Sequence, residues 1–210
     1  MKRVVITGHE GAEFEQLAAV TSPLMEAYAH RHGAAFVEYQ LPAIIKRPSS
    51  WKKLIAIAVG FVEYDEVLWL DTDVVIVDSS ESLFEAVPPE ADHAMVRHQT
   101  NEGDVPNAGV WLLRRPMLPI LVAAAMMDDA VHHRWWEQAA MLSLMGFSES
   151  SGQCRHVNET HLYKQTHWLD ESWNVWIGSP PSVTPKFRHA CGRNGSERMS
   201  LLKGWADAAT

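Results

Sequence analysis

The sequence predicts an α/β fold in which a mixed, mainly parallel sheet is flanked by helices. Short apolar runs rich in β-branched residues alternate with longer stretches that have one apolar side, the pattern of strands alternating with helices. The first strand, helix and second strand have the spacing of a crossover between parallel strands. A later apolar run, residues 67–77, is broken by two carboxylates, Asp71 and Asp73. Together these features favour an open sheet with a polar site at one strand end.

Length and composition indicate one ordered domain, residues 1–210. The chain is 47% hydrophobic and 21% charged, which is ordinary for a globular protein. A net charge of -8 disfavours broad non-specific binding to nucleic acid. Two cysteines, Cys154 and Cys191, are too few for a disulfide framework, and neither a signal segment nor a run long enough for a membrane span is present. We therefore expect a cytoplasmic protein.

The first half of the chain carries the clearest elements. Residues 3–7 predict a buried strand, residues 13–32 a helix that Pro23 should kink or divide, and residues 35–41 a second strand. Residues 44–50 read as a basic loop. Residues 51–62 predict a helix with Lys52 and Lys53 in its first turn, where the helix dipole disfavours cations. A nearby phosphate would explain that placement, although solvated lysines are the simpler interpretation.

The second half is less regular. Residues 67–77 predict one central strand, residues 79–87 a short helix, residues 93–98 and 110–113 strands, and residues 116–127 and 133–147 helices. We expect residues 100–106 to form a polar loop and the Ser/Gly-rich residues 148–158 to be mobile. Residues 186–191 predict a last strand, and Ser196 is the predicted cap of a final helix.

Asp71 and Asp73 form the first candidate site. Residues two apart in an extended chain point the same way, so the two carboxylates can converge at the end of the strand. Carboxylates beside a core require a cationic partner, and a divalent metal is the economical explanation. An acidic turn that caps the next element is the alternative.

Five short motifs follow one another along residues 3–205. They are Trp51-Lys52-Lys53-Leu54, Leu68-Trp69-Leu70-Asp71-Thr72-Asp73, Asn107-Ala108-Gly109-Val110-Trp111-Leu112-Leu113-Arg114, Glu137-Gln138-Ala139-Ala140 and His189-Ala190-Cys191-Gly192. With the order of elements, they resemble the GT-A family of metal-dependent nucleotide-sugar glycosyltransferases. The likeness is closest to the galactosyl/xylosyl transferases of the α-mannan and xyloglucan type, and more distant to the glycogenin-like enzymes.

The resemblance implies a role for each matching residue. Asp71, Asp73 and His189 correspond to the metal ligands. Glu137, Gln138 and Asp71 correspond to catalytic residues, of which Glu137 and Gln138 resemble the pair beside the reacting sugar and Asp71 the residue that serves both metal and ribose. The implied contacts with the donor are made by Thr7, Gly8, Lys53, Asp71, Thr72, Asn107, Gly192 and Arg193. Two carboxylates and an imidazole suit Mn²⁺ better than Mg²⁺, which prefers oxygen ligands.

The implied reaction moves a hexose or pentose from a nucleotide diphosphate sugar, with UDP the expected nucleotide, to an acceptor hydroxyl with retention of configuration. The acceptor is left open between a glycan, a small molecule, a protein and a modified nucleobase, and so is the oligomeric state. Two features depart from the family. Arg193 and Asn194 stand where a lysine often follows the late histidine motif, and the membrane anchor and stem of eukaryotic members are not seen.

Two other functions fit part of the pattern. A haloacid dehalogenase-type phosphatase would use Asp71 as the covalent nucleophile and Asp73 as the acid/base, but its Asp-x-Asp strand normally opens the chain and its later acidic loop is missing. A non-catalytic nucleotide-sugar binding protein would keep the same site without transferring the sugar.

Overall fold

The computed structural model describes residues 1–40 and 47–209. Residue 41 of the predicted strand 35–41 and residues 44–46 of the predicted loop 44–50 lie outside the described residues. The strands are β1 (Arg3–His9), β2 (Ala35–Gln40), β3 (Glu66–Leu70), β4 (Val74–Ile76), β5 (His93–Thr100), β6 (Gly103–Arg114), β7 (Phe147–Ser150), β8 (Gln153–His156), β9 (Thr166–Leu169), β10 (Val175–Trp176) and β11 (Phe187–His189). The helices are α1 (Ala12–Arg31), α2 (Lys52–Glu63), α3 (Leu83–Ala86), α4 (Leu118–Ala125), α5 (Trp136–Leu144), α6 (His161–Lys164) and α7 (Gly195–Asp207).

The large sheet has the strand order β2-β1-β3-β6-β5-β9, and the β7–β8 hairpin joins it through β8 and β6. Strand β1 runs parallel to both β2 and β3, and β5 runs parallel to β9. Strand β6 is antiparallel to its neighbours β3 and β5. The predicted fold class, a mixed and mainly parallel sheet flanked by helices, is confirmed.

Alternate residues of the central strands supply two cores, one on each face of the sheet. Val67 and Trp69 of β3 pack with residues of α2, α4 and α5, whereas Leu68 and Leu70 pack with Met25 and Tyr28 of α1. Because both faces are covered, β3 is buried along its whole length, and after the ion-paired Glu66 it reads as a continuous apolar run.

The prediction of one central strand over residues 67–77 is wrong. Strand β3 ends at Leu70, the chain turns, and β4 begins at Val74 in a second sheet with the order β10-β11-β4. The amide of Val74 donates to the carbonyl of Asp71 at 2.9 Å and closes the turn. Both strands are completely buried, so the hydrophobic pattern is the same on either side of the break.

Several local predictions also change. Residues 100–106 do not form a loop, because β5 reaches Thr100 and β6 starts at Gly103 in a tight hairpin. Residues 148–158 contain the β7–β8 hairpin. Helix α1 continues through Pro23, α5 begins at Trp136 rather than near residue 133, and Asn194 rather than Ser196 precedes α7.

Candidate active site

The site is built on the turn between β3 and β4. The amide of Asp71 donates to the carbonyl of Gly109 on β6 at 2.8 Å, and the hydroxyl of Thr21 on α1 donates to the carbonyl of Thr72 at 3.0 Å. The amide of Ala190, next to β11, donates to the carbonyl of Asp73 at 2.9 Å. Each residue of the turn is therefore fixed by a different neighbouring element.

Asp71, Asp73 and His189, the Asp-Asp-His cluster, lie together as expected. One ligand atom from each lies within 4.8 Å of the others. His189 Nε2 is 3.1 Å from Asp73 Oδ1 and 3.9 Å from Asp71 Oδ2. The aspartates converge because they occupy a turn, and not because they share one face of an extended strand.

The cluster fits a divalent cation. At metal–ligand distances of about 2.1 Å, octahedral geometry places neighbouring ligand atoms about 3.0 Å apart and opposite atoms about 4.2 Å apart. The two distances from His189 Nε2 fall in that range. The donor set of two carboxylates and one imidazole also suits Mn²⁺. That the cluster holds a metal remains a prediction.

In the absence of a metal, the charges of Asp73 and His189 stabilise each other. Burial alone would raise the pKa of Asp73, but His189 and Arg198 outweigh it and lower that pKa. Burial alone would lower the pKa of His189, but Cys191 and Asp73 raise it well above the usual range. A proton on the imidazole thus neutralises part of the carboxylate charge, and a bound cation would replace it.

Gly109 makes room for the imidazole. A Cβ atom at this position would lie 2.1 Å from Cε1 and 2.7 Å from Nδ1 of His189, which is closer than atoms can approach. The glycine of the Asn-x-Gly motif is therefore explained by the close packing of its backbone against the His189 ring.

Lys53 connects Asp71 with the predicted catalytic helix. Its Nζ lies 2.9 Å from Asp71 Oδ1, 2.9 Å from Glu137 Oε1 and 3.2 Å from the carbonyl of Ala108. An ammonium group has three N–H donors, and all three are matched here. Lys53 would therefore act on a donor through Asp71 and Glu137 rather than by direct contact.

The interpretation of Lys52 and Lys53 as solvated lysines is wrong, because both side chains are buried. Lys52 pairs with Glu10. Burial on its own would lower the pKa of Lys53, but the charges of Asp71 and Glu137 raise it. Carboxylates meet both cations, with no need for a phosphate.

Glu137 is enclosed, whereas Gln138 is partly exposed. Burial raises the pKa of Glu137 even though Lys53 opposes the shift, and its Oε2 has no hydrogen-bond partner among the residues that the structure describes. Gln138 Oε1 accepts a hydrogen bond of 3.1 Å from the amide of Ala108. Trp136, just before them, is about half exposed and has a left-handed φ of 47°, an unusual conformation for a large residue. Gln138 is thus the better placed of the two to face a substrate.

The predicted donor-binding residues differ in their accessibility. Thr7 is fully buried and its hydroxyl finds no hydrogen-bond partner within residues 1–40 and 47–209, whereas Gly8 and Asn107 are partly exposed. Asn107 Oδ1 already accepts from the amide of Gly109 and from Asn174 Nδ2, so Nδ2 of Asn107 is the end left for a ligand. Thr72 contributes its backbone to the turn while its side chain is buried.

Gly192 and Arg193 lie in the short segment between His189 and the start of α7. Gly192 has a φ of 74° and open space around it, so backbone could approach a ligand closely there. Arg193 pairs with Glu197 at 3.1 Å and has no contact with the cluster among the described ion pairs. Arg198, one turn further on, lies 3.7 Å from Asp73 Oδ2 instead.

Three residues around the cluster were not predicted to belong to the site. Trp69 Nε1 donates to Asp71 Oδ1 at 2.6 Å, Asn174 contacts His189, and Arg198 contacts Asp73. Trp69 reads as part of a buried strand, Asn174 lies in an irregular segment, and Arg198 lies on a helix of mixed polarity. Their positions follow from the tertiary fold.

The fold is similar to those of several solved glycosyltransferases. One, described as involved in the glycosylation of the major capsid of PBCV-1, matches over 97% of this chain and 100% of its own, with a TM-score of 0.73 and 18% identity. The galactosyltransferase LgtC, in complex with donor and acceptor sugar analogs, matches over 99% of this chain and 96% of its own, with a TM-score of 0.62 and 13% identity. The glycosyltransferase GlyE of Streptococcus pneumoniae matches over 98% of this chain but 61% of its own, with a TM-score of 0.59 and 15% identity.

No protein-family model matches the sequence, and no curated protein matches it either. Among the described residues, no helix combines the length and the apolar character that crossing a bilayer requires. At these low identities the structural likeness establishes the architecture. The chain therefore shares its mixed α/β fold with GT-A glycosyltransferases.

Proposed function

We propose that the protein is a metal-dependent glycosyltransferase that moves a hexose or pentose from a nucleotide diphosphate sugar, UDP-linked in the first instance, to an acceptor hydroxyl. The observation that carries the proposal is the convergence of Asp71, Asp73 and His189 at the carboxyl end of β3, in a fold shared with glycosyltransferases. Open α/β sheets bind their ligands at this edge. Mn²⁺, or alternatively Mg²⁺, is the proposed ion.

Glycosyl transfer leaves negative charge on the departing diphosphate. A bound divalent cation supplies Lewis-acid stabilisation of that charge. Asp71, Asp73 and His189 would hold the ion, and Gly192 would let the backbone approach the phosphates. Each of these residues sits on or next to an element that borders the β3–β4 turn, which supports a single continuous donor site.

Retention of configuration is part of the proposal. Gln138 is partly exposed and lies beside Ala108, so it would face the sugar and stabilise positive charge that develops on it. Glu137 is buried and paired with Lys53, which makes it a poor covalent nucleophile. Glu137 would therefore position Lys53 and Asp71, and Nδ2 of Asn107 would contact the donor.

The two alternative functions are less well supported. A phosphatase nucleophile needs a free carboxylate oxygen, yet Oδ1 of Asp71 receives hydrogen bonds from Trp69 and Lys53 and Oδ2 faces His189. A non-catalytic nucleotide-sugar binding protein would have the same geometry. An assay of transfer separates it from the enzyme.

The test is a panel of nucleotide sugars with and without Mn²⁺. Two quantities are measured: hydrolysis of the nucleotide sugar, and the rise in the unfolding temperature of the protein. We expect stabilisation that requires both the ion and the nucleotide, and its loss in Asp73→Asn. Asp207→Asn, which removes an exposed carboxylate at the end of α7, is the matched control and should behave like wild type. Equal stabilisation of both variants, or release of phosphate from a phosphomonoester that depends on Asp71, would contradict the proposal.

A further inference from the structure

A chain of hydrogen bonds links the backbone of β6 to the imidazole of His189. The amide N–H of Gly109 donates to Asn107 Oδ1 at 2.9 Å. Asn174 Nδ2 donates to the same oxygen at 2.9 Å, and Asn174 Oδ1 lies 3.1 Å from His189 Nδ1. Asn174 is fully buried and His189 nearly so, which leaves water little access to compete for these bonds.

The direction of this chain is fixed at its first bond. A backbone N–H can only donate, so the Asn107 atom beside Gly109 must be the oxygen. Asn174 must then present its NH₂ group to that oxygen, which turns its own carbonyl oxygen toward His189. The orientation of an amide is normally ambiguous, but here the backbone of Gly109 determines both amides in turn.

The consequence for His189 is a single arrangement of its ring proton. A carbonyl oxygen can only accept, so Nδ1 of His189 must carry the hydrogen that bonds to Asn174. In the neutral ring Nε2 then has the lone pair. That nitrogen is the one that faces Asp73 Oδ1 at 3.1 Å and Asp71 Oδ2 at 3.9 Å.

We propose that Asn174, held in orientation by Asn107, is a positioning residue that selects the Nδ1–H tautomer of His189 and so presents Nε2 as a ligand to a divalent cation. This inference rests on the metal site of the proposed function. Residues behind a metal-ligating histidine fix its tautomer and ring orientation in the same way, and losing them weakens metal binding about 10–100-fold.

The experiment compares Asn174→Leu with wild type by two measurements, neither of which needs turnover. Long-range ¹H–¹⁵N NMR of the metal-free protein, under conditions where the ring is neutral, reports the His189 tautomer, with His189→Gln identifying the signal. The electron paramagnetic resonance signal of free Mn²⁺ reports the dissociation constant of the ion alone. We expect wild type to show the Nδ1–H tautomer, and Asn174→Leu to lose it and bind Mn²⁺ about 10–100-fold more weakly.

Asn107 supplies the matched pair of variants. Asn107→Asp keeps an oxygen acceptor for both Gly109 and Asn174, so the tautomer should persist and Mn²⁺ binding should not weaken. Asn107→Leu removes the acceptor and leaves the amide of Asn174 free to rotate, so it should resemble Asn174→Leu. It also provides the test if Asn174→Leu does not fold.

The outcomes separate this inference from the proposed function. If wild type does not bind Mn²⁺, the metal dependence in the proposed function fails, and the inference fails with it. If wild type binds Mn²⁺ but has the Nε2–H tautomer, or if the leucine variants keep its tautomer and affinity, the inference alone is overturned. A general packing defect in Asn107→Leu would lower its stability but leave the His189 tautomer as in wild type.

Discussion

Replacing Lys53 by methionine tests the buried charge network most directly. The ammonium group lies 2.9 Å from a carboxylate oxygen of Asp71 and 2.9 Å from one of Glu137. The side chain of Glu137 is 5% exposed and that of Asp71 is 29% exposed, so water can relieve the loss at Asp71 but not at Glu137. Removing one partner of a buried pair costs roughly 3–5 kcal/mol. We expect Lys53→Met to lower the free energy of unfolding by about that amount at neutral pH.

Urea unfolding followed by tryptophan fluorescence measures this loss. Lys52→Met is the matched control, because its partner Glu10 is 27% exposed and should tolerate the change better. Adding Glu137→Gln to Lys53→Met removes the stranded charge, so the double variant should recover most of the stability. Such recovery would show that the loss came from an uncompensated carboxylate rather than from packing.

The loss should also depend on pH. Burial raises the pKa of Glu137 in the folded protein, and the charge of Lys53 opposes that rise. Removing Lys53 would therefore raise the pKa of Glu137 further. A group whose folded pKa is raised adds stability at low pH and loses it as the pH rises through that value. The difference between Lys53→Met and wild type should therefore shrink as the pH is lowered toward 5. A loss below about 1 kcal/mol, or one that neither pH nor Glu137→Gln changes, would refute the reasoning.

Two further predictions rest on single contacts. Gly109→Ala would push a methyl group into the ring of His189, so Mn²⁺ affinity measured by electron paramagnetic resonance should fall about tenfold or more, and unchanged affinity would contradict the packing argument. Burial lowers the pKa of His93 to about 4, so the neutral ring stabilises the fold above pH 6.5 and that contribution is lost as the pH falls toward 4. The pKa shift of His93 corresponds to about 3 kcal/mol of stability. The measurement is the urea unfolding midpoint of wild type and of His93→Gln as a function of pH, and the same pH dependence in both proteins would contradict this prediction.

The sequence predicted the regular half of the fold well. The apolar runs of β1 and β3 and the one-sided patterns of α1 and α2 depend on burial that is local to each element, and burial is what a hydrophobic pattern reports. The break after Leu70 was missed because β4 is as apolar as β3, although it belongs to another sheet. The β7–β8 hairpin was missed because its strands are short and largely polar, and only half of their residues are exposed, in no clear alternation.

The site was predicted in part, and by different means. The two aspartates stand out in the chain, but His189, 116 residues from Asp73, was connected to them by resemblance and not by spacing. The burial of Lys53 could not be foreseen, because it needs carboxylates from two other elements. Asn174 lies in a segment without a regular pattern, so its contact with His189 depends on the fold as a whole. The prediction that residues 1–210 form a single domain stays a prediction, as do the assigned roles of the site residues.

The separation of β3 and β4 into different sheets has a mechanical consequence. Asp71 directly follows β3 of the large sheet, and Asp73 directly precedes β4 of the small sheet. His189 is the last residue of β11, the strand that pairs with β4. An ion gripped by all three would cross-link the two sheets where the chain passes from one to the other. Binding of the ion should slow amide hydrogen exchange in the small sheet, so the local stability of β4, β10 and β11 would depend on whether the ion is bound.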